Sequence, residues 1–193
     1  GGTLYFSASD GLSGTELWKS DGTEVGTVRI KDIRAGANGS SPTQITNVGG
    51  TLYFRANDGV SGIELWKSDG TEPGTVRVKE IHAGATGSAP SSLVNVGGVL
   101  YFIAIDGVTG VELWKSDGTE AGTVRVKDIR AGSNHSSPAQ LTNVGGTLYF
   151  SANDGASGFE LWKSDGTEAG TVRVKDIRAG ATSSGPSMVT NVG

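Results

Sequence analysis

The chain has no cysteine, which excludes a disulfide framework and any zinc site held by thiolates. It has one methionine and only 35% hydrophobic residues, too few to fill a thick, leucine-rich helical core. No apolar run approaches the roughly 20 residues that cross a bilayer as a helix. The first residues lack the basic and apolar regions of a signal peptide. They begin inside a repeat, so a fragment, a mature product or an engineered product is expected. Basic residues are also in deficit, with sixteen Lys and Arg against twenty Asp and Glu and a net charge of -4. Such a surface has no general attraction for a phosphate backbone, and nucleic acid is not an expected partner.

What the chain does contain is glycine, 32 residues of it, and repetition. The octet "ELWKSDGT" stands unchanged at 16–23, 64–71, 112–119 and 160–167, and Tyr5, Tyr53, Tyr101 and Tyr149 follow the same spacing of 48 residues. A repeat of this length decides the architecture. One unit, read over 40–84, holds four strand-like runs, near Gln44–Val48, Thr51–Ala56, Ile63–Lys67 and Thr75–Ile81. Glycine or Asp-Gly pairs punctuate them, and helical periodicity is absent. "VGGT" and "SDGT" are read as tight hairpins needing positive φ. "TLYF" is apolar on both faces, and "TVRVKEI" has the imperfect alternation of an outer strand.

A four-stranded sheet of this size cannot bury both faces alone, so the units must stack. The expectation is an all-β fold, a β-propeller of 48-residue, four-stranded antiparallel blades. A linear β-solenoid is the rival. The whole chain reads as a single repeat domain with units at about 1–48, 49–96, 97–144 and 145–193. Residues 187–192 resemble a blade's first strand and 3–8 its second, so their pairing would seal a ring. Four blades closing alone and two chains forming eight blades are both open. Small, glycine-rich units suit the gentler wedge of the larger ring, which favours a homodimer.

The four segments around "GTELWKSDGTEVGT" resemble the ELWxxDGT repeat, a hyalin-like tandem repeat of bacterial exported and surface proteins. The resemblance covers essentially the whole chain. It implies an extracellular or cell-surface module with no common enzymatic activity or cofactor. "SSPTQITNVGGTLYF" is also similar to the opening of blades in pyrroloquinoline-quinone-type propellers, which implies that Gln44–Val48 and its equivalents lie innermost. The catalytic residues of those dehydrogenases have no counterparts here.

All twenty acids fall in five repeated columns, represented by Asp10, Glu16, Asp21, Glu24 and Asp32. No carboxylate is unique, whereas a hydrolytic acid and base need environments that separate their pKa values. The basic columns are Lys19, Lys31, Arg29 and Arg34, with His82 replacing one arginine and Arg55 as the sole addition. His82 and His135 occupy different columns and form no recognisable catalytic set. The expected function is therefore a non-enzymatic structural or protein-interaction scaffold.

The alternative is a lectin-like propeller with one site per blade. Trp18, Trp66, Trp114 and Trp162 would be its stacking platforms, and Asp21, Asp69, Asp117 and Asp165 its hydroxyl acceptors. A third reading takes Asp10, Asp58, Asp106 and Asp154 as calcium ligands, although calcium requires six to eight oxygens and each loop offers one carboxylate. No other cofactor is expected, and no membrane insertion. The octet is also close to the Asp-box hairpin of sialidase propellers, but its adjacent Ser and Asp break that pattern. A protein or glycan ligand would be sought on the variable linkers typified by "RAGANGSSP".

Overall fold

The computed structural model describes residues 2–192 and is all-β, with no helix among them. It divides into two compact units, 1–90 and 91–193. In the first unit, β1 (Leu4–Ser9), β2 (Thr15–Ser20) and β3 (Val28–Lys31) make a three-stranded sheet. β4 (Thr43–Val48), β5 (Thr51–Asn57), β6 (Ile63–Ser68) and β7 (Val76–Lys79) make a four-stranded one in that order. The second unit holds two four-stranded sheets. The first consists of β8 (Ser91–Val96), β9 (Val99–Ile105), β10 (Val111–Ser116) and β11 (Val124–Lys127). The second consists of β12 (Ala139–Val144), β13 (Thr147–Asn153), β14 (Phe159–Ser164) and β15 (Val172–Lys175). Every pairing is antiparallel, as the repeat predicts.

The turns differ from one another. Val48 pairs with Thr51 across Gly49 and Gly50, whose φ values are 59° and 90°. This is the tight two-residue hairpin that demands two positive φ angles. "SDGT", however, is not a tight hairpin: it opens the longer 69–75 loop between β6 and β7. The outer strand is also shorter than its sequence predicts, stopping at Lys79. Its next apolar residue, Ile81, turns its N–H away from the ladder and gives it to the Glu64 carboxylate.

Within each unit the two sheets pack face to face. In the first, Leu17 and Ile30 of one sheet meet Phe54, Ala56 and Trp66 of the other. In the second, Leu113, Val126 and Ile129 meet Leu148, Phe150, Ala152 and Trp162. Adjacent residues of a strand point to opposite faces. The leucine of one "ELW" thus faces the following sheet, while the tryptophan of the next faces back. Leu17, Leu113, Phe54 and Phe150 are wholly buried, each contributing about 1.5–3 kcal/mol relative to exposure.

Two lysine columns tie the sheets together. Lys19 Nζ donates to the Gly70 carbonyl at 2.8 Å and Lys31 Nζ to that of Thr75 at 2.9 Å. Lys115 and Lys127 repeat both bonds to Gly166 and Thr171.

In the second unit the first strands of the two sheets, β8 and β12, are neighbours, joined by Asn143 Nδ2 donating to the Asn95 carbonyl at 3.1 Å. Residues 187–192 form no strand. Even so, Asn191 Nδ2 reaches the Asn143 carbonyl at 3.5 Å, and Thr142 Oγ1 donates to the Val189 carbonyl at 3.1 Å. Met188 also keeps the positive φ, 54°, that marks the bulge residues Gln44, Ser92 and Gln140.

Candidate functional site

The octet begins with its most deeply buried charge. Glu16, Glu64, Glu112 and Glu160 are all 0% exposed, and each closes a clasp on the linker leaving its own sheet. Glu16 accepts from the backbone of Ile33, Arg34 and Ser40 at 3.3, 3.2 and 2.7 Å and from Ser40 Oγ at 2.5 Å. Glu64 is held in the same way by Ile81, His82 and Ser88, and Glu112 by Ile129 and Ser136. Glu160 takes Ile177 and Ser184.

Burial pushes Glu64 and Glu112 above the usual glutamate range, partly offset by the bonds from Ser88 and Ser136. At Glu160 burial also acts upward, but the bonds from Ser184 and Ile177 prevail and hold it below that range. Sequence reasoning missed this clasp. Its signal is present, because each glutamate stands 24 residues before its serine: Glu16–Ser40, Glu64–Ser88, Glu112–Ser136 and Glu160–Ser184.

The tryptophans of the sugar reading are core residues. Trp66 and Trp114 are 7% exposed and Trp162 is 6% exposed, which leaves no open ring face on which a sugar could stack. Trp18 is half-buried and donates its indole N–H to the Ala8 carbonyl at 3.0 Å. Asp69 and Asp165 do line shallow cavities of about 290 and 330 Å³, beside Lys67 and Lys163 respectively, but no tryptophan lines either. The structure therefore does not bring together the platform and the acceptor that the lectin reading pairs.

These aspartates shape their loops instead. Asp21 Oδ1 accepts from the Thr23 N–H and hydroxyl at 2.9 and 2.7 Å. Thr23 Oγ1 receives the Gly26 N–H, and Thr27 Oγ1 donates to the Thr23 carbonyl at 2.6 Å. Asp69, Asp117 and Asp165 do the same with Thr71, Thr119 and Thr167. Asp21, Asp69 and Asp165 are held below the usual aspartate range, chiefly by those threonines.

The calcium candidates are likewise occupied by the chain's own donors. Asp10 Oδ1 accepts from the Leu12 and Ser13 N–H groups at 2.9 and 2.8 Å, and Oδ2 takes the Ser13 hydroxyl. Arg29 lies 3.5 Å from Asp10 and 3.5 Å from Asp32, and it also bonds Ser13. Asp58, Asp106 and Asp154 repeat the arrangement with Arg77, Arg125 and Arg173. A guanidinium at each loop is a poor neighbour for a cation, so these residues do not fit calcium. No group of three or more Asp, Glu or His placed to hold a metal occurs among the described residues.

His135 accepts the Val111 N–H on Nδ1 at 3.0 Å and serves its loop. His82 Nδ1 is buried without a hydrogen-bond partner. The Glu24 column projects from exposed loops. A different pocket, unforeseen in the sequence, lies in the first unit. It has a volume of about 360 Å³ and brings Arg34 and Arg55 together.

No family model and no curated protein matches the sequence. The fold is similar to part of puromycin hydrolase, seen as an S511A mutant complexed with PGG and without that mutation. The TM-score is 0.55 in both cases, at 18% and 17% identity. Each match covers 90% of this chain and 28% of the hydrolase, so the chain spans under a third of that protein's length. An alpha-L-arabinofuranosidase from Clostridium thermocellum overlaps at a TM-score of 0.35 and 16% identity, over 89% of this chain and 71% of the enzyme. At these identities the hydrolase likeness concerns the fold alone.

Proposed function

We propose that the chain is a non-enzymatic β-propeller module of a bacterial cell surface, as its ELWxxDGT-like repeats imply, acting as a structural or protein-interaction scaffold. One observation carries this reading: the carboxylates of the octet and of the preceding loop are spent on the chain's own donors. The Glu16 column clasps the linkers, the Asp21 column shapes the loops, and the Asp10 column is bonded to its turn and to arginine. A hydrolytic pair would need one carboxyl kept free and in a different environment from its partner, and no blade breaks the pattern to provide that.

The face-to-face sheets and the regular step from Asn95 to Asn143 to Asn191 support radial stacking around inner strands. The segment 187–192, similar in sequence to β4, β8 and β12, is then a fitting innermost strand for a β1–β3 sheet. We place that sheet in a second copy of the chain. The scaffold reading is tested by incubating the protein with chromogenic glycosides, esters and peptide amides. No turnover above buffer is expected, and turnover abolished by a substitution in a single blade would overturn the reading.

A further inference from the structure

Arg55 is where the repeat is broken, since Ser7, Ile103 and Ser151 stand at the equivalent positions. It sits within β5 opposite Thr43 of β4, half-buried, and lines the 360 Å³ cavity of the first unit. Arg34 lines the same cavity. It lies across Gly59, where a Cβ would stand 2.9 Å from its Nε. Every arginine of the Arg29 column has a carboxylate within 4.0 Å. Among the described residues neither Arg34 nor Arg55 has one. The oxygens of Glu16 are committed to Ile33, Arg34 N–H and Ser40, and those of Asp58, beside Gly59, to Val60, Ser61 and Arg77.

Two half-buried guanidiniums without a counter-charge, in a chain of net charge -4, form a local positive site. Arginine presents a planar fork of donors that matches a carboxylate. The rest of the wall is mainly polar. Asn38, Ser41, Thr43 and Asn57 line it, and Asn57 uses its Oδ1 on the Gly59 N–H, which leaves its amide N–H groups for the cavity. Ala56 and Ile63 add a small apolar floor, and no aromatic ring is present. The volume lies in the range of small-molecule sites, about 300–1,000 Å³. Its chemistry calls for a ligand that is anionic at one end and rich in hydroxyls elsewhere.

We propose that this cavity binds a hexuronate residue of an acidic saccharide. Arg34 and Arg55 take the carboxylate, and the asparagine, serine and threonine side chains take the ring hydroxyls. The site belongs to the first unit alone and does not depend on the scaffold reading or on ring closure. Blade symmetry supplies the control. Arg55→Ser installs the residue found at Ser7 and Ser151, both in intact strands. In the second unit, Arg130 lies across Gly155 as Arg34 lies across Gly59, and Ser151 stands where Arg55 does. Ser151→Arg is therefore expected to create a second site.

Calorimetric titration with galacturonate, galactose and inorganic sulfate tests the proposal. Galacturonate is expected to bind once per chain, at least about tenfold more tightly than galactose, and about tenfold or more weaker to Arg55→Ser, since a charge-assisted pair is lost. Ser151→Arg is expected to raise the stoichiometry to two. Thermal melts of both variants should match the parent, which separates loss of the site from loss of fold. The proposal is overturned by absence of saturable galacturonate binding, by equal affinity for galactose, by binding of sulfate only, or by an Arg55→Ser variant that binds as the parent does.

Discussion

At the scale of single residues, the first letter of the octet carries more of the fold than its tryptophan suggests. Removing a buried acceptor strands the donors that faced it, and that penalty exceeds the net worth of the bonds themselves. Glu112→Ala would leave the Ile129 and Ser136 N–H groups unpaired and the Ser136 hydroxyl with only the Val111 carbonyl at 3.4 Å. A loss of about 3–5 kcal/mol in urea unfolding is expected. Ser136→Ala removes one donor and leaves the carboxylate its backbone partners, so about 1 kcal/mol is expected. Equal losses for the two variants would show that the clasp is not organised around the glutamate.

The carboxylates also give stability two opposed pH dependences. Glu64 and Glu112 are raised by burial, so the folded chain holds those protons more tightly than the unfolded one. That contribution is complete below the unfolded value of about 4.3 and is lost as pH rises through the folded value. Asp10 is lowered to about 2 by the Ser13 and Leu12 N–H groups, with Arg29 assisting. Its contribution is present above the unfolded value of about 3.9 and disappears as pH falls toward 2. Asp58, Asp106 and Asp154 are lowered too, their turn bonds and arginines outweighing burial. Asp10→Asn keeps an acceptor oxygen but no titrating group. Melting temperatures between pH 5 and pH 2.5 should therefore fall less for the variant than for the parent, and an identical decline would remove Asp10 from the acid transition.

At the scale of elements, the loop after "SDGT" shows what was legible in the sequence and what was not. Strand order, the two-residue Gly-Gly hairpin and the two-sided apolar strand follow from local pattern, and the structure has them. Side-chain bonds across several residues leave no periodic trace, so the 69–75 loop and the glutamate clasp had to be seen in three dimensions. The aspartate columns are legible as turn residues, but local pattern does not show that an arginine stands beside each carboxylate of the Asp10 column.

The loop makes its own prediction at Gly74, whose φ is not positive and where the constraint is steric. A Cβ there would overlap the Asp69 carboxylate, so Gly74→Ala must expel the carboxylate that holds Thr71. A cost of about 1–3 kcal/mol is expected. Combining it with Asp69→Ala should cost less than the sum of the two, since both changes break one contact. Additive losses in a double-mutant cycle would contradict that account.

At the scale of the whole molecule, the proposed dimer rests on two features, the β1 edge and the segment 187–192. β1 is the edge of the three-stranded sheet, and its Leu4 is 65% exposed where the equivalent Leu52, Leu100 and Leu148 are 7%, 0% and 0%. An open edge flanked by apolar side chains is a template for pairing. The segment 187–192 is similar in sequence to β4, β8 and β12 and keeps the bulge residue's positive φ at Met188, without a ladder of its own.

In the dimer we propose, that segment of one copy would pair with the β1 edge of the other. Two reciprocal donations would give every sheet of the assembly four strands. For a chain of 19.7 kDa, light scattering should then give about twice that mass, and deletion of 187–193 should return it to the single-chain value. A parent that scatters as a single chain at all concentrations would reject the exchange. A dimer that survives the deletion would show that the two copies meet through some other surface.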